Sequence, residues 1–310
     1  MRDYLKSSAR SGVKWEKNNS SVGKWKSVSA IFIALVICLA TFNGLLKSTS
    51  EKKFNNRQSW DGVSSFVVGL KGDKAGAFIF QKDPKRVAVV KFGEIVQGEG
   101  QAFADKLSAT LGANINTYLN VDSLEDETLA KRFENFTSFM TPAAILTSGM
   151  FSKQEDTNIT RIEALRLWWQ AKTIRPKEIK FVDLSAKSTP RDTKVLGASS
   201  NGLNKEIVPY LENVKIIGED VEINIVNEST QELASALMQS FVKSVGGRVN
   251  KVSGSADTVD KCLIYTNKKG SYTVNYLAKT LTCDINDTLE AENPTMTIHI
   301  GENFNKKYFK

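Results

Sequence analysis

The sequence has only one histidine and three cysteines, and it lacks the glycine-rich loops that bind nucleotides. Without a second histidine it cannot form a histidine-based zinc cluster. His299 falls in the predicted last strand, where we expect a packed or edge-exposed imidazole and not the base of a serine triad. Neither a Walker loop nor a dinucleotide fingerprint occurs. The sequence therefore gives no catalytic residue, no metal ligand and no cofactor-binding residue.

The chain also has little net charge beyond its first 26 residues. Its 42 Lys and Arg residues against 34 Asp and Glu residues give a formal net charge of +8. The first 26 residues contain seven basic and two acidic residues, which leaves +3 for the rest of the chain. Both signs are interspersed there, whereas a nucleic-acid-binding domain carries a basic patch or stripe. We therefore predict no nucleic acid partner.

One long apolar run, residues 27–46, contains no charged side chain. As a helix it would be about 30 Å long, which matches the hydrocarbon core of a bilayer. The basic residues before it place residues 1–26 in the cytoplasm by the positive-inside rule. A cleaved signal peptide would need a small-residue cleavage site, and a lipoprotein site at Cys38 would not follow the large Ile37. We predict a single-pass protein of the cell membrane, in contact with the lipid bilayer, with most of the chain extracytoplasmic.

The rest of the chain divides into two predicted α/β regions. Residues 47–62 are polar and lack apolar periodicity, so we predict a stalk. Residues 63–184 are predicted as the first domain, and the polar segment 185–218 as a linker. In the first domain the pattern predicts strands at 64–70, 76–80, 86–92, 118–121 and 179–184, and helices at 101–111, 129–140 and around Trp168.

Residues 219–310 are predicted to form a small α/β sandwich with helices on one face of a mixed sheet. Residues 221–226 alternate strictly and predict a strand with one apolar face. Ser229 and Glu232 have the spacing of a capping box ahead of a helix that ends at Gly246. Further elements are predicted as strands at 249–252, 263–265 and 295–300 and as a helix at 272–281. The predicted fold class is therefore α/β (α+β) with a single N-terminal transmembrane helix.

Cys262 and Cys283 are the only cysteines outside the predicted membrane span. Cys262 lies at the start of a predicted strand, and Cys283 follows the helix that runs back antiparallel to it. Both should reach the same end of the domain, and exported domains can keep disulfides. We predict a Cys262–Cys283 disulfide that closes a loop of about 20 residues. Two buried free thiols are the alternative.

Two short motifs lie at the ends of the region 219–310. After an alternating strand the chain has Asn227, then Leu233 and Ala234, and after its last strand it has Gly301, Glu302, Asn303 and Phe304. These motifs resemble the carboxy-terminal domain of the LytR-CpsA-Psr cell-envelope proteins, which has Asn-Gly-Thr, then Gly-Leu-Ala, and Gly-x-Asp-Phe. Glu228 and Ser229 replace Gly and Thr of that pattern, and Asn303 replaces Asp.

Residues 63–184 are similar to a degenerate LytR-CpsA-Psr (LCP) catalytic domain. Residues 111–122, LGANINTYLNVD, resemble the family's Leu-Gly-x-x-Ile-x-x-Tyr-x-x-Val-Asp. The resemblance implies an extracytoplasmic domain related to enzymes that transfer glycopolymers from polyprenyl-diphosphate carriers to the cell wall. Such chemistry needs cations for the diphosphate and a carboxylate that binds a divalent metal or takes a proton.

The family's Ser-x-Pro-Arg-Asp motif is missing after the third predicted strand. Lys91, Phe92, Gly93 and Glu94 stand there, and lysine does not reproduce the fork of donors with which arginine grips phosphate oxygens. Arg161 and Arg166 are candidates for anion binding, with solvated helix charges as the alternative. Pro190-Arg191-Asp192 matches the last three residues of the motif but lies in the predicted linker. No buried strand precedes it there to direct its side chains into a pocket.

We therefore predict a noncatalytic, membrane-anchored, extracytoplasmic cell-envelope protein without a cofactor. It would bind an envelope polymer, a lipid-linked precursor or a partner protein. The first alternative is an LCP-type phosphotransferase that uses Mg²⁺ and takes its missing arginines from elsewhere in the chain. The second alternative is a structural spacer or assembly module, which an exposed apolar patch without a pocket would favour.

Overall fold

The computed structural model describes residues 60–92, 96, 98–115, 117–146, 157–184, 204–268, 270–286 and 295–309. The predicted tail, membrane span and all but the last three residues of the predicted stalk lie outside the described residues. Within the described ranges, no helix has the length and apolar character that crossing a bilayer requires. These ranges form two five-stranded sheets with helices, which confirms the predicted α/β class.

The first sheet has the strand order β4-β1-β2-β3-β5. The first three strands form an antiparallel meander, and β4 and β5 lie parallel to β1 and β3 at the two edges. The middle strands are buried on both faces, which explains their nearly continuous apolar sequences. The strands are β1 (Phe66–Lys71), β2 (Ala75–Gln81), β3 (Arg86–Lys91), β4 (Thr117–Asn120) and β5 (Ile179–Asp183).

Helices cover both faces of the first sheet. Phe103 and Leu107 of the first helix and Ile207 of the fifth helix are buried against one face. Phe133 of the second helix and Leu167 of the fourth are buried against the other. The helices are α1 (Gly100–Leu111), α2 (Asp126–Thr137), α3 (Thr141–Leu146), α4 (Arg161–Ala171) and α5 (Asn204–Leu211).

The second sheet has the strand order β7-β6-β10-β8-β9. Its central strand β10 is parallel to β6 and antiparallel to β8. Ile223, Ile225, Ile264 and Ile298 are fully buried on one face, so the predicted alternation in β6 is confirmed. The strands are β6 (Glu222–Asn227), β7 (Arg248–Gly254), β8 (Leu263–Thr266), β9 (Asp284–Asn286) and β10 (Thr295–Ile300).

The helices of this half bury their apolar residues with the isoleucine face. Leu237 and Phe241 of α7 and Leu277 of α8 belong to the same core as the isoleucines. Gly246 follows α7 in the left-handed conformation (φ 90°), which a glycine adopts without strain. The helices are α6 (Val214–Glu219), α7 (Leu233–Ser244), α8 (Tyr272–Leu281) and α9 (Glu302–Tyr308).

Hydrogen bonds join the two halves, and the described residues belong to one compact unit. The Ser240 hydroxyl donates to the Gly112 carbonyl at 3.1 Å, and the Tyr308 hydroxyl donates to Asn114 Oδ1 at 2.9 Å. Gly112 ends α1 with a φ of 66°, as predicted for a helix stop, and this turn presents its carbonyl to α7. The division into two domains at 63–184 and 219–310 stays a prediction.

Two helices occupy the carboxyl half of the predicted linker, whereas residues 185–203 lie outside the described part. Ile207 and Leu211 of α5 are buried on the first sheet, and Ile216 of α6 is buried in the core of the second. These three side chains explain why 204–219 is ordered as helix and not as an extended polar connection. The polar composition around residue 200 concealed them from the sequence pattern.

The start of α7 differs from the prediction. The helix begins at Leu233, and the Glu232 side chain makes no capping hydrogen bond. The Ser229 hydroxyl instead donates to Asn227 Oδ1 at 2.6 Å. The predicted capping box is therefore wrong, because the asparagine at the end of β6 takes the serine hydroxyl that the box requires.

The predicted disulfide between Cys262 and Cys283 is present, with Cα atoms 4.5 Å apart. Cys262 precedes β8, Cys283 follows α8, and both are buried. Next to the disulfide, the Asp284 backbone N–H donates to the Cys262 carbonyl at 3.0 Å, so the bond closes the end of the β8·β9 pair.

We expect the double substitution Cys262→Ala/Cys283→Ala to lower the free energy of unfolding by about 3 kcal/mol, because it releases a loop in the unfolded chain. Urea denaturation of the oxidised full chain in detergent measures this loss. Cys38→Ala is the control and should leave the midpoint unchanged. An unchanged midpoint in the double variant would contradict the stabilising role of the disulfide.

Glu219, the last residue of α6, caps the start of α8. Its carboxylate accepts hydrogen bonds from the Ser271 hydroxyl at 2.6 Å and from the Tyr272 and Thr273 backbone N–H groups at 2.8 Å. Limited burial acts to raise the pKa of Glu219, but the hydrogen bonds from Ser271, Thr273 and Tyr272 outweigh it and lower the pKa from 4.5 to about 2. The ionised carboxylate therefore stabilises the folded chain.

Glu219→Gln should lower the free energy of unfolding at pH 7 by roughly 1 kcal/mol, a value for a cap that is mostly exposed and screened by solvent. Because the folded pKa lies below the unfolded one, this stabilisation is complete above pH 4.5 and disappears as the pH falls toward about 2. The urea midpoints of the original chain and of Glu219→Gln should differ at pH 7, differ less at pH 4 and be nearly equal at pH 2.5. Glu232→Gln, at a position without a capping bond, is the control. A gap that stays constant with pH would contradict the role of ionisation.

Candidate functional site

The end of β3 is the position where the resembled family carries its arginine and aspartate. Here Lys91 Nζ lies 2.6 Å from Asp126 Oδ1 at the start of α2. Phe92 is buried, and its backbone N–H donates to the Ala75 carbonyl at 2.9 Å. The one described cation at this strand end is thus paired with a carboxylate, and the next side chain belongs to the core. Gly93 and Glu94 lie outside the described residues.

Arg161 and Arg166, the candidates for anion binding, both lie on α4. Five residues on a helix correspond to a rotation of about 140°, so the two side chains leave α4 on different sides. Arg166 Nη1 donates to the Trp60 carbonyl at 2.7 Å. The structure thus gives Arg166 a backbone partner, and the anion-binding role of either arginine stays a prediction. Pro190-Arg191-Asp192 lies outside the described residues.

A buried glutamate on α4, which the sequence analysis missed, holds the end of the predicted stalk. Glu163 Oε1 accepts the Trp60 backbone N–H at 2.7 Å. Its Oε2 accepts the backbone N–H and the hydroxyl of Thr160, both at 2.9 Å. Two turns further along α4, Gln170 Nε2 donates to the Gly62 carbonyl at 3.2 Å. The Thr160-x-x-Glu163 spacing was the available signal, because it is a capping box ahead of an apolar run.

The second sheet turns its other face partly to solvent. On β6, β8 and β10 the side chains that alternate with the buried isoleucines are half-buried. Register places Thr297 between Asn224 and Tyr265, and His299 between Val226 and Leu263. We call this surface the open face, and it consists of Asn224, Val226, Leu263, Tyr265, Thr297 and His299.

His299 lies at the centre of the open face with an aromatic and an acidic neighbour. Its ring contacts that of Tyr265 edge-on, with centroids 4.7 Å apart and planes at 67°. Its Nδ1 lies 2.9 Å from Glu228 Oε1, just after β6. The imidazole is thus packed in the central strand, one of the two placements expected for it. An aromatic ring, an amide, a hydroxyl and an imidazole–carboxylate pair side by side can contact both apolar and hydroxyl-bearing parts of a ligand.

In the described ranges, no group of three or more His, Cys, Asp or Glu side chains could hold a metal ion. Asp122, in the motif that resembles the family's, is paired with Arg132. We therefore assign no metal ligand at this site.

No protein-family model matches the chain, and no curated protein does either. Among solved structures it is similar to the transcriptional regulator yvhJ from Bacillus subtilis, with 12% identity over 39% of this chain and 82% of that chain and a TM-score of 0.26. It is also similar to the LytR-CPS2A-psr family protein YwtF (TagT) with bound octaprenyl pyrophosphate lipid, with 11% identity over 37% of this chain and 62% of that chain and a TM-score of 0.19. The B. subtilis TagT structure gives 6% identity over 83% and 96% of the two chains and a TM-score of 0.18. TM-scores this low assign neither a fold nor a family.

We expect Arg166→Ala to destabilise the chain by about 1–2 kcal/mol, because it removes a charged hydrogen bond to the Trp60 carbonyl. Arg161→Ala, on the same helix, is the matched comparison and should change stability by less than about 0.5 kcal/mol. Urea denaturation followed by tryptophan fluorescence measures both. Equal stabilities of the two variants would contradict the structural role of Arg166.

Proposed function

We propose that this chain is a membrane-anchored extracytoplasmic protein of the cell envelope that binds an envelope polymer without transferring it. The carrying observation is the Lys91–Asp126 ion pair at the end of β3, where the transferases that the sequence resembles have an arginine and an aspartate. A second domain of the LytR carboxy-terminal type is part of this proposal, on the motifs at residues 227–234 and 301–304.

Two features support an extracytoplasmic location. The apolar run at 27–46 follows a basic tail, so the bulk of the chain follows the span on the outer side. The Cys262–Cys283 disulfide belongs to a compartment that is oxidising enough to keep it. The two features are independent, because one comes from the amino-terminal sequence and the other from the pairing of side chains in the second half.

The geometry at β3 supports binding without catalysis. A diphosphate leaving group needs cations that are free to stabilise developing charge. Lys91 already neutralises Asp126, and Arg166 is engaged with a backbone carbonyl. Binding of a phosphate by either side chain would compete with these contacts.

The open face is the proposed binding surface. Sugar chains present apolar ring faces beside many hydroxyl groups, and the open face offers Tyr265 and Leu263 beside Asn224 and Thr297. The Glu228–His299 pair adds polar atoms beside these groups. The faces of β6, β8 and β10 hold these groups on regular strands, which fixes their spacing.

We expect the full chain in detergent to bind purified wall glycopolymer, and the variant Tyr265→Leu/His299→Gln to bind at least tenfold more weakly, a loss of about 1.4 kcal/mol. Lys279→Gln, an exposed change on α8 at the helix-covered side of the same sheet, should bind as the original chain does. Sedimentation with the polymer measures affinity. Equal binding by all three proteins would contradict the open face as the site.

The same preparation tests transfer with a polyprenyl-diphosphate-linked glycan, with and without Mg²⁺. We expect no transfer. Metal-dependent transfer that Arg161→Ala/Arg166→Ala abolishes would overturn the noncatalytic proposal in favour of a phosphotransferase. If the chain binds the lipid-linked glycan but not the polymer, the lipid-linked precursor is the ligand. If it binds neither, a spacer or a partner-binding module is favoured.

A further inference from the structure

Exposed apolar side chains lie close together in the first half of the molecule, between α2 and α3 and on α4. Phe139, Met140 and Trp169 are 89%, 71% and 63% exposed, the largest values among the large apolar side chains of the described residues. Trp168 is half-buried, and its Nε1 donates to the Ser138 carbonyl at 2.9 Å, which brings the two segments together. We call this surface the aromatic patch, and it consists of Phe139, Met140, Trp168 and Trp169.

One lysine contacts the aromatic patch, and further exposed basic residues follow it in the chain. Lys172 Nζ lies 3.5 Å from the centroid of the Trp169 ring. Lys85 Nζ donates to the Thr173 hydroxyl at 3.2 Å, and Arg175 and Lys177 follow as exposed residues. Residues 82–86 and 172–178 together contain six basic residues and two acidic residues, Asp83 and Glu178, so their net charge is positive. Exposed tryptophan and phenylalanine beside lysine and arginine is the composition of protein surfaces that lie in a membrane interface.

The predicted membrane span is close to this surface along the chain. Only thirteen residues, 47–59, separate it from Trp60, a distance of at most about 45 Å even when fully extended. Trp60 is held by Glu163 and Arg166 of α4, the helix that carries Trp169 three residues further on. The first described residue after the predicted span is therefore bound to α4, the helix that carries Trp168 and Trp169.

We infer that the aromatic patch lies on the outer surface of the bilayer that anchors the chain, with its rings among the lipid headgroups and its basic residues on anionic phosphates. This inference rests on the membrane anchor of the proposed function. Because only residues 47–59 separate the predicted span from Trp60, the bilayer surface is always close to the aromatic patch. A second protein is the poorer fit, because four side chains provide only part of the roughly 800 Å² per partner that a stable interface buries.

Fluorescence quenching by lipid tests the contact in the full chain reconstituted into liposomes. Trp15→Phe/Trp25→Phe removes the two tryptophans of the predicted tail, and Trp60 is buried, so Trp168 and Trp169 become the reporters. With lipids brominated near the headgroup we expect clear quenching, strongest in anionic bilayers. Phe139→Ser/Met140→Ser should reduce it at least twofold. Val252→Ser, an exposed apolar residue of β7, is the matched control and should leave quenching unchanged.

The outcomes separate this inference from the anchor itself. Absence of quenching in a chain that resists extraction from the liposomes by alkaline carbonate would overturn the inference and leave the anchor in place. Release of the chain by carbonate would overturn the anchor and the inference with it. Absence of quenching together with a loss of self-association in Phe139→Ser/Met140→Ser would assign the aromatic patch to a second copy of the chain, which also overturns the inference.

Discussion

The carboxylate of Asp61 links the turn into the first sheet to a helix of the second half, and the arrangement of the two sheets depends on it together with the Ser240 and Tyr308 hydrogen bonds. Its Oδ1 accepts the Val63 and Ser64 N–H groups and the Ser64 hydroxyl at 2.8–2.9 Å, which sets the turn into β1. Its Oδ2 accepts the Tyr272 hydroxyl of α8 at 2.9 Å, and that hydroxyl accepts from Asn213 Nδ2 at the start of α6. Burial acts against the charge, but these hydrogen bonds outweigh it and lower the pKa of Asp61. Burial and the nearby carboxylate raise the pKa of Tyr272, so its hydroxyl stays a donor.

A second carboxylate, Glu163, supports the same region from the other side. It is fully buried, and a buried polar group is tolerated only when hydrogen bonds satisfy it. Glu163 and Arg166 together grip both backbone groups of Trp60, so the residue that leads out of the predicted stalk is fixed to α4. Hydrogen bonds from α4 to the backbone of Trp60 therefore fix the position of the first sheet relative to the end of the predicted stalk.

The sequence predicted local elements well where apolar spacing and helix-ending residues agree. The helix at 272–281 and the strand at 295–300 have the predicted bounds, and Gly112 ends α1. The second helix was expected at 129–140 but runs from Asp126 to Thr137, because acidic residues in the first turn favour that start. The helices at 204–219 were not predicted as helices, since their few buried residues acquire partners only from distant parts of the chain. The candidate site was predicted least well, because neither the open face nor the buried Glu163 was named from the sequence.

The sequence alone determined the periodicity of the strands and helices, the apolar run at 27–46 and the pair of cysteines available for a disulfide, since these depend on spacing along the chain. Only the tertiary structure decided which group each charged side chain meets: Lys91 pairs with Asp126, and Arg166 binds the Trp60 carbonyl 106 positions away. It also decided that Phe139 and Trp169 face outward. The physical reason is that burial and charge pairing arise between residues far apart in sequence, and no local pattern encodes those neighbours.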